Sequence, residues 1–380
     1  MRTRTFSRRR EIITSFMRPS SPLLFGGAWA GTLGRAVRRP GGGCVAARVT
    51  RGGRTLHVRN QAASSSERII VPGKFDALHL GHRALVLRAA ERGRPVLLSF
   101  SGMAEALGWE ARLPIVPRTH MEQVVSSWLG GDADAFDSVV LPFAELRQMS
   151  PRAFLQEYVV RRLGAAGVVC GANWRFGHRA QGDVQTLLAF AEECIRDSRP
   201  LTVDALPPVL YGGERVSSTR VRECLARGDM EQVAGLLGRP HQVHGAMQVI
   251  GTEERGMEAR VAGWENQPPI APGWYAARAM VKAETRDGTA PATISVTVHM
   301  QPVDANANGA ADEALLRNTP RRLRLHIPTE AAAAWQALRP HLTVNAPVRI
   351  ALELSQRVSR AAQELPADPM AAPKVAYPQR

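Results

Sequence analysis

Apolar runs of strand length alternate with segments of helical periodicity between residues 68 and 206. Each run is short, as expected for a strand that is buried on both faces. Strands separated by helices indicate βαβ units, and therefore a parallel sheet with helices on both faces. The predicted strands are 68–73, 95–100, 138–143, 166–171 and 201–206, and the predicted helices are 79–93, 117–129, 150–164 and 182–197.

Beyond about residue 240 the apolar positions alternate with a period of two, which is typical of strands with one buried face. This pattern predicts a mostly antiparallel β domain with one helix, at 328–342. Residues 302–319 are expected to form a loop. The alternating segments are 273–285, 292–301, 321–327 and 346–354.

These patterns predict an α/β chain with two folded domains. A Rossmann-like parallel-sheet domain is expected over 67–241, followed by a smaller, mostly antiparallel β-barrel-like domain over 242–358. Residues 1–66 are expected to be a disordered leader, and residues 359–380 a disordered tail.

The net charge of +15 is concentrated in that leader. Residues 1–66 hold 13 arginines and one acid, Glu11, whereas the remaining 36 basic and 33 acidic residues nearly cancel. This Arg-rich, acid-poor composition is typical of an organelle transit peptide. A basic arm that binds nucleic acid is the alternative, and we predict no nucleic-acid partner for the folded chain. No uncharged run is long enough to cross a bilayer, so no membrane association is predicted.

The four cysteines form no C-x-x-C pair, which argues against a zinc site or a disulfide framework. Cys44 is expected to leave with the leader. Cys170, Cys194 and Cys224 lie among apolar neighbours and are predicted to be buried free thiols.

The stretch GKFDALHLGH (73–82) follows the first predicted strand, at the sheet edge where ligands bind in open parallel sheets. His79 and His82 are three residues apart, so both lie on one face of the first helical turn. Gly81 between them leaves room for a phosphate near unpaired backbone N–H groups. Beside a triphosphate, both imidazoles are expected to have raised pKa values and to stabilise charge. Helix capping and zinc binding are the alternatives, although no third zinc ligand has suitable spacing.

A second phosphate-binding pattern is SSTRVR at 217–222. Ser217, Ser218 and Thr219 precede a helical segment and can cap it or contact an anion at its N-terminus. Arg222 lies one turn further and offers a planar fork to phosphate oxygens. Arg220 is expected to face solvent.

Asn173 and its aromatic neighbours Trp174 and Phe176 follow the fourth predicted strand at the same edge. An amide and aromatic rings there can hold a ribose or a planar ring system. Packing beneath a loop is the alternative for the two aromatic rings.

The turn at 73–82 resembles the H-x-G-H signature of the nucleotidylyltransferase superfamily. GANWRFGHRAQGD (171–183) and VSSTRVRECLARGDMEQVAGLLGRPH (216–241) resemble segments of prokaryotic-type FAD synthetases. GKFDALHLGHRAL, together with LLSFSGMAEALGWEARLPIV, resembles the plant and algal plastid branch of that family. Ala77, where bacterial members carry Gly, fits this branch. SFSGMA (99–104) replaces a bacterial T-F-D-P-H-P stretch that helps to form the flavin pocket.

The resemblance implies an FMN adenylyltransferase that joins FMN and ATP, with Mg²⁺ accompanying the ATP, and releases FAD and pyrophosphate. It implies a chloroplast location, with the mitochondrion as the alternative, and leaves the oligomeric state open. The catalytic set is His79, His82, Asn173 and Arg222; the ATP-binding set is Gly73, Lys74, Phe75, Asp76, Gly81, Ser217, Ser218 and Thr219; the flavin-binding set is Phe100, Arg175, Phe176 and Asp183. No residue is predicted to bind a metal directly.

The second domain lacks the glycine-rich and P-T-A-N residues of the riboflavin kinase barrel found in bifunctional bacterial relatives. The corresponding stretch reads HGAMQVIGTEERGMEARVAG (244–263). We therefore expect a degenerate barrel without kinase activity. A nucleotidylyltransferase for another acceptor, such as phosphopantetheine or a choline-type phosphate, and a flavin-nucleotide-binding protein without turnover remain as alternatives.

Overall fold

The structure of the chain is a computed structural model, and it describes residues 48–51, 54–57, 67–109, 112–269, 271–285, 288–301, 322–342 and 347–358. These residues lie in one compact unit that spans 46–380. The loop predicted at 302–319 and the tail predicted at 359–380 lie outside the described residues.

The strands of the first half are β1 (Arg48–Arg51), β2 (Arg54–His57), β3 (Arg68–Pro72), β4 (Arg94–Ser101), β5 (Asp137–Pro142), β6 (Ala165–Gly171), β7 (Thr202–Leu206), β8 (Leu210–Tyr211) and β9 (Glu214–Arg215). The strands of the second half are β10 (His241–Glu253), β11 (Gly256–Trp264), β12 (Gly273–Thr285), β13 (Gly288–Gln301), β14 (Arg322–His326) and β15 (Pro347–Val358). The α-helices are α1 (Leu80–Ala90), α2 (Met103–Leu107), α3 (Arg118–Trp128), α4 (Phe143–Leu146), α5 (Pro151–Phe154), α6 (Val184–Arg196), α7 (Ser218–Arg227), α8 (Met230–Leu237) and α9 (Ala332–Leu338).

Seven strands form one sheet in the order β2-β1-β5-β4-β3-β6-β7. The strands from β5 to β7 are parallel to one another, which confirms the predicted Rossmann-like sheet. The chain leaves β3 towards β4 on one side and later returns to β6 on the other side. The carboxyl end of β3 is therefore the point where the strand order reverses, and a crevice forms outside such a point.

Both faces of the sheet are buried, and the β3 side chains alternate between them. Ile69 and Val71 pack with Val86 of α1 and Val125 of α3. Ile70 faces the opposite side, where α5 and α6 contribute to a second cluster of apolar side chains. Because these three residues alternate between two buried faces, all three are apolar.

Two strands lie inside the predicted leader. Arg48–Arg51 pairs antiparallel with Arg54–His57 and with β5, so the hairpin lies along an edge of the sheet. An edge strand has a row of unpaired N–H and C=O groups with which another strand can pair. The amino-acid composition of residues 1–66 does not reveal that such an edge is available. The expectation of disorder over 1–66 therefore differs from the structure at these two strands, and the other leader residues lie outside the described part.

Two predicted helices have a different internal structure. The segment predicted at 150–164 begins with Ser150 capping the N–H of Ala153, as expected, but continues after α5 as a π-helix over Leu155–Arg162. The segment predicted at 328–342 consists of α9 between two 3₁₀ turns, Thr329–Ala331 and Arg339–His341. Proline at 340 has no N–H to continue an α-helix, which accounts for the second turn.

Strands β10 to β15 close into an antiparallel barrel in the order β10-β11-β14-β13-β12-β15. This closure confirms the predicted barrel-like domain. Trp335 of α9 is 1% exposed, packs with the barrel core and donates its indole N–H to the Glu253 carbonyl at 3.2 Å. Helices α7 and α8 contribute to the same apolar cluster, so the core runs from the barrel to the sheet domain.

A buried amide joins the barrel to the sheet domain. Asn266 is fully buried, accepts from the His244 N–H at 2.8 Å and donates to the carbonyls of Ile115 at 2.9 Å and Gln242 at 2.8 Å. Next to it, the Gln267 N–H donates to the Pro114 carbonyl at 2.8 Å. Residues 114–115, which belong to the sheet domain, are thus hydrogen-bonded from the barrel.

Replacing Asn266 with Ala leaves one buried N–H and two carbonyls without partners. We expect the Asn266→Ala variant to lose about 1–3 kcal/mol of unfolding free energy, measured by urea titration. Gln336→Ala is the control, because this exposed amide also donates to a backbone carbonyl, that of Glu254. It should cost less than about 0.5 kcal/mol, and equal losses in the two variants would contradict the importance of the buried junction.

Candidate active site

The turn after β3 has a constrained backbone. Phe75 and Leu78 have φ angles of 50° and 48°, which non-glycine residues adopt at a cost. The Phe75 side chain is buried, and a Cβ at Gly73 would lie 3.1 Å from its ring. The Gly73 N–H donates to the Leu98 carbonyl at 3.0 Å. Packing of the Phe75 ring beneath Gly73 therefore holds the turn in this conformation.

His79 caps α1, and its ring stacks on that of His82. Its Nδ1 accepts from the His82 N–H at 3.3 Å, and the two ring centroids are 3.9 Å apart. A neutral His79 that accepts at Nδ1 carries its proton on Nε2, so Nε2–H is the group available to a ligand. The Nδ1 atom of His82 is buried without a hydrogen-bond partner. The pair that the sequence predicts is thus assembled, with capping as an additional role for His79.

Gly81 provides the space for this stacked pair. A Cβ at this position would lie 3.0 Å from Cε1 and 3.1 Å from Nδ1 of the His79 ring. Contacts this close would require the ring to move by a few tenths of an ångström. A larger residue at 81 would therefore displace the His79 ring.

Burial keeps the two imidazoles neutral in the protein itself. Desolvation, with smaller contributions from Arg215 and Arg239, lowers the pKa of His79 to about 4. Desolvation, His79 and Arg239 lower the pKa of His82 well below its ordinary value. The sequence analysis predicted raised pKa values for a site that contains a triphosphate. The negative charge of a triphosphate raises the pKa of an imidazole, whereas burial and the arginines lower it.

Asp76 and Arg222 form an ion pair that joins the turn to α7. Nη2 of Arg222 lies 3.1 and 2.9 Å from the two Asp76 carboxylate oxygens and 2.9 Å from the Leu113 carbonyl. The Asp76 carboxylate also accepts from the Ile115 N–H at 3.2 Å. Within the described part of the chain, Nε and Nη1 of Arg222 make no hydrogen bond. Arg222, predicted to bind phosphate, thus pairs with Asp76 through one of its three side-chain nitrogens.

The N-terminus of α7 has the predicted hydroxyl groups. Ser217 caps the helix by accepting from the Arg220 N–H at 3.2 Å, while Ser218 and Thr219 lie in the first turn. Arg220 does not face solvent as expected. It donates to the carbonyls of Tyr211 at 2.8 Å and Glu214 at 3.2 Å, and so holds the β8–β9 hairpin against α7.

Arg215 is a site residue that the sequence analysis missed. Its guanidinium nitrogens lie 3.1 and 3.2 Å from the Asn173 side-chain oxygen, once that amide is oriented to accept. Arg215 is exposed, and its charge contributes to the lowered pKa of His79. The loop after β6, the hairpin before α7 and the histidine turn are therefore electrostatically coupled. The only sequence signal was a basic residue two positions before Ser217.

The predicted flavin residues lie at the same sheet edge but have structural contacts. The Phe176 ring is 7% exposed and stacks on Trp174 with centroids 4.3 Å apart, as in the packing alternative. Asp183 caps α6 by accepting from the Thr186 N–H and forms an ion pair with Arg175 at 3.3 Å. Phe100 packs 6.3 Å from Phe154, between ring centroids.

A cavity of about 290 Å³ opens on the other face of the sheet, beside the histidine turn. Lys74 and Asp76 contribute to one wall, Ser99 of β4 and Ser138 of β5 to another, and α3 to a third. The Lys74 ammonium lies 4.2 Å from the ring centroid of Trp109, which is 51% exposed. Burial lowers the pKa of Lys74. This space can hold a planar group with polar edges.

Other candidate chemistries find little support in the described residues. No three or more His, Cys, Asp or Glu side chains within them are arranged to hold a metal ion. Cys170, Cys194 and Cys224 are buried free thiols, as predicted, and burial raises the pKa of Cys170 to about 12. None of the described helices combines the length and apolar character needed to cross a bilayer.

Comparison with known proteins supports the resemblance indicated by the motifs. Residues 133–220 match the family model described as FAD synthetase. The chain is 41% identical over 187 residues to FAD synthetase 2, chloroplastic, of Arabidopsis thaliana, covering 46% of this chain and 50% of that protein. It is 30% identical over 177 residues to the bifunctional riboflavin kinase/FMN adenylyltransferase of Pseudomonas fluorescens, covering 46% and 55%. The chain thus spans about half the length of these curated relatives.

A solved structure, "Crystal Structure of Macrolide-efflux Protein from Streptococcus pneumoniae", aligns with a TM-score of 0.56 and 16% identity. The alignment covers 78% of this chain and 87% of that one. At this identity the likeness concerns the fold alone. The sequence resemblance to plant plastid FAD synthetases is confirmed by the family match and by the Arabidopsis relatives.

The buried His79 predicts a specific dependence of stability on pH. Its pKa is about 4 in the folded protein and about 6.5 when exposed, so the unfolded chain binds more protons between these values. The unfolding free energy should therefore fall as the pH falls from 6.5 to 4, by on the order of 3 kcal/mol for this one group. Above pH 7, His79 should make no contribution to the change of the unfolding free energy with pH.

Urea unfolding between pH 4 and 8 measures this dependence. The His79→Gln variant should show a shallower loss of stability in acid, and above pH 7 it should differ from the wild type by a constant. His241→Gln provides a second arm, because burial also lowers the pKa of His241 to about 4. An unchanged acid slope in the His79 variant would contradict the neutral, buried state of this imidazole.

Proposed function

We propose that this chain is an FMN adenylyltransferase, which transfers AMP from ATP to FMN and releases FAD and pyrophosphate. The observation that carries the proposal is the stacked His79–His82 pair at the start of α1, linked through Asp76 and Arg222 to the hydroxyl-bearing start of α7. Two helix N-termini and two imidazole donors near one point of the sheet edge are suited to a polyphosphate. The match of residues 133–220 to the FAD synthetase family supports FMN as the acceptor.

In this reaction a phosphate oxygen of FMN attacks the α-phosphorus of ATP. A new P–O–P linkage forms, and the bond from the α-phosphorus to the oxygen that bridges to the β-phosphate breaks. The electron pair leaves with pyrophosphate, and the charges balance without a proton transfer. Because no covalent enzyme intermediate is needed, the protein acts mainly by positioning the two phosphates and stabilising their charge.

The described residues divide these tasks. The Nε2–H groups of His79 and His82 donate to the reacting phosphates, and the approach of negative charge raises the pKa of both rings and strengthens these bonds. Ser218 and Thr219, with the open N–H groups of α7, hold the leaving β- and γ-phosphates. Arg222 adds its Nη1 and Nε donors, and Mg²⁺ enters as part of the MgATP substrate.

Asn173 and Arg215 extend the same charged edge beyond the histidine turn. We propose that they contact the phosphates from the β6 side, since Asn173 holds the Arg215 guanidinium. The opposite wall of the phosphate site is formed by Gly73, Lys74 and Asp76. Phe75 supports them from beneath.

The flavin has two candidate walls, one on each face of the sheet. Phe100, Arg175, Phe176 and Asp183 belong to the first, where the exposed Arg175 is held by Asp183. The second is the cavity beside Lys74 and Trp109. SFSGMA (99–104) begins at the end of β4, so this segment contributes to both.

We further propose that the barrel lacks riboflavin kinase activity and that the protein acts in the plastid. The barrel sequence has no P-T-A-N stretch, and apolar side chains fill the core. Plastid location is supported by the Arg-rich leader and by the relatives named chloroplastic. A different phosphorylated acceptor is the alternative with the same chemistry, and a non-catalytic flavin-nucleotide-binding protein is the alternative without it.

Two parallel incubations test the proposal. The full chain is supplied with MgATP and either FMN or riboflavin, and both mixtures are separated by chromatography. FAD should form from FMN only. Formation of FMN or FAD from riboflavin would contradict the loss of kinase activity, and no FAD from FMN would contradict the proposed acceptor.

The same assay tests the role of the histidine pair. His79→Ala removes a donor aimed at the developing phosphate charge, so kcat should fall by about 10²–10³-fold. His326→Ala, on barrel strand β14, is the control and should retain the wild-type rate. Full turnover by the His79 variant would contradict the assignment of this turn as the catalytic centre.

A further inference from the structure

Arg239 is a partly buried cation beneath the histidine turn. It follows Gly238, the C-cap of α8, and precedes the first barrel strand, β10. Its Nη1 donates to the Leu78 carbonyl at 2.7 Å and to the Leu237 carbonyl at 3.2 Å, and its Nη2 donates to the Ala77 carbonyl at 3.1 Å. All three partners are backbone carbonyls.

The guanidinium has no carboxylate partner among the described residues. Desolvation lowers the pKa of Arg239 to about 10, which reflects the cost of holding a charge here. Asp76, the acid of the turn, is already paired with Arg222. A buried cation without a counter-ion lowers the stability of the fold. We therefore infer that Arg239 has a role other than stabilisation.

The two carbonyls that Arg239 holds directly precede the helix cap. Leu78 has a positive φ angle, so its peptide planes need external support, and His79 follows immediately. The planar fork binds both carbonyls at once, which fixes the backbone from which the His79 side chain projects. Lysine has no such fork and cannot replace this geometry.

The neighbouring glycine allows this close approach. Gly238 has a φ of 70°, and a Cβ on it would lie 2.6 Å from the Leu80 side chain in the first turn of α1. The end of α8 is thus packed directly against the start of α1. The local structure on both sides places Arg239 against the turn.

We propose that Arg239 is a positioning residue for adenylyl transfer, whose fork on the Ala77 and Leu78 carbonyls orients the His79–His82 pair towards the reacting phosphates. This inference rests on the proposed function. The positive charge of Arg239 also acts on the His79–His82 pair. The charged and titratable groups that act on these two rings are Arg215, Arg239, Asp76 and the rings themselves, and Asp76 alone raises a pKa.

Two variants separate the fork from the charge. Arg239→Lys keeps a cation but loses the planar fork, and Arg239→Gln loses the charge as well. Arg94→Lys is the control, because Arg94 also donates to two carbonyls, those of Asp134 and Phe136, at the amino end of the sheet. Arg94 differs from Arg239 in forming an ion pair as well, with Asp137. Urea unfolding of all three variants records any loss of folding.

Steady-state kinetics of FAD formation provide the first readout. Arg239→Lys should lower kcat by about 10–100-fold, because a shift of the rings by a fraction of an ångström misaligns their donors, while KM for MgATP changes less than about threefold. Arg94→Lys should retain the wild-type kcat. Wild-type kcat in Arg239→Lys, or equal losses in the Arg239 and Arg94 variants, would overturn the proposal.

The second readout does not require activity. In protein with ¹³C-labelled histidine, NMR titration should show the pKa of His79 moving upward in Arg239→Gln and remaining low in Arg239→Lys. An unmoved His79 titration in Arg239→Gln would overturn the electrostatic part. If the wild type forms no FAD, the proposed function fails, whereas this titration still tests the contact. If Arg239→Gln does not fold, the lysine variant and its kcat-to-KM pattern decide the positioning role.

Discussion

The conformation of the turn between β3 and α1 is the constraint on which the rest of the site depends. Two of its residues, Phe75 and Leu78, have left-handed backbone angles, and such angles persist only where surrounding contacts over-determine them. Here the contacts come from distant parts of the chain. Arg222 of α7 pairs with Asp76, and Arg239 after α8 holds the Ala77 and Leu78 carbonyls. The two histidines therefore have defined positions only when α7 and α8 are in place.

The same arrangement produces an electrostatic field suited to anions. The charges of Arg215 and Arg239 act on two imidazoles that are neutral in the protein alone, and Arg222 lies nearby on Asp76. One carboxylate, Asp76, balances one of these cations. The remaining positive potential, together with the open N–H groups of two helix N-termini, favours a polyphosphate. Binding of such an anion would offset the cost of keeping the cations partly buried.

The barrel is structurally continuous with this site. Asn266 and Gln267 hydrogen-bond the carbonyls of Ile115 and Pro114, and the neighbouring segment 113–116 contacts Arg222 and Asp76. A domain without a kinase signature can thus contribute to the geometry of the sheet domain. These hydrogen bonds give a physical reason why a change in the barrel can alter the site in the sheet domain.

Short-range patterns in the sequence predict much of this structure. The apolar runs, including the Ile69–Val71 stretch, predict the parallel sheet because each encodes burial on two faces. The H-x-G-H spacing predicts the paired rings because a cap residue and the residue three positions later lie on the same side of the first helical turn. By contrast, Arg239 contacts three backbone carbonyls, and Arg220 contacts two carbonyls together with the Glu214 carboxylate. Every residue has a backbone carbonyl, so such contacts have no signal in the sequence. The Phe176–Trp174 stack and the β1–β2 hairpin likewise depend on which surface is available after folding.

The most direct test of adenylyl transfer measures which product receives the α-phosphorus of ATP and which receives the γ-phosphorus. The full chain is incubated with FMN and Mg²⁺ and with ATP that carries radioactive phosphorus in either the α or the γ position. We expect the α label to appear in FAD and the γ label in pyrophosphate, in equal amounts. Transfer of the γ label to the flavin, or release of the α label as ADP or AMP without FAD, would contradict adenylyl transfer at the histidine turn.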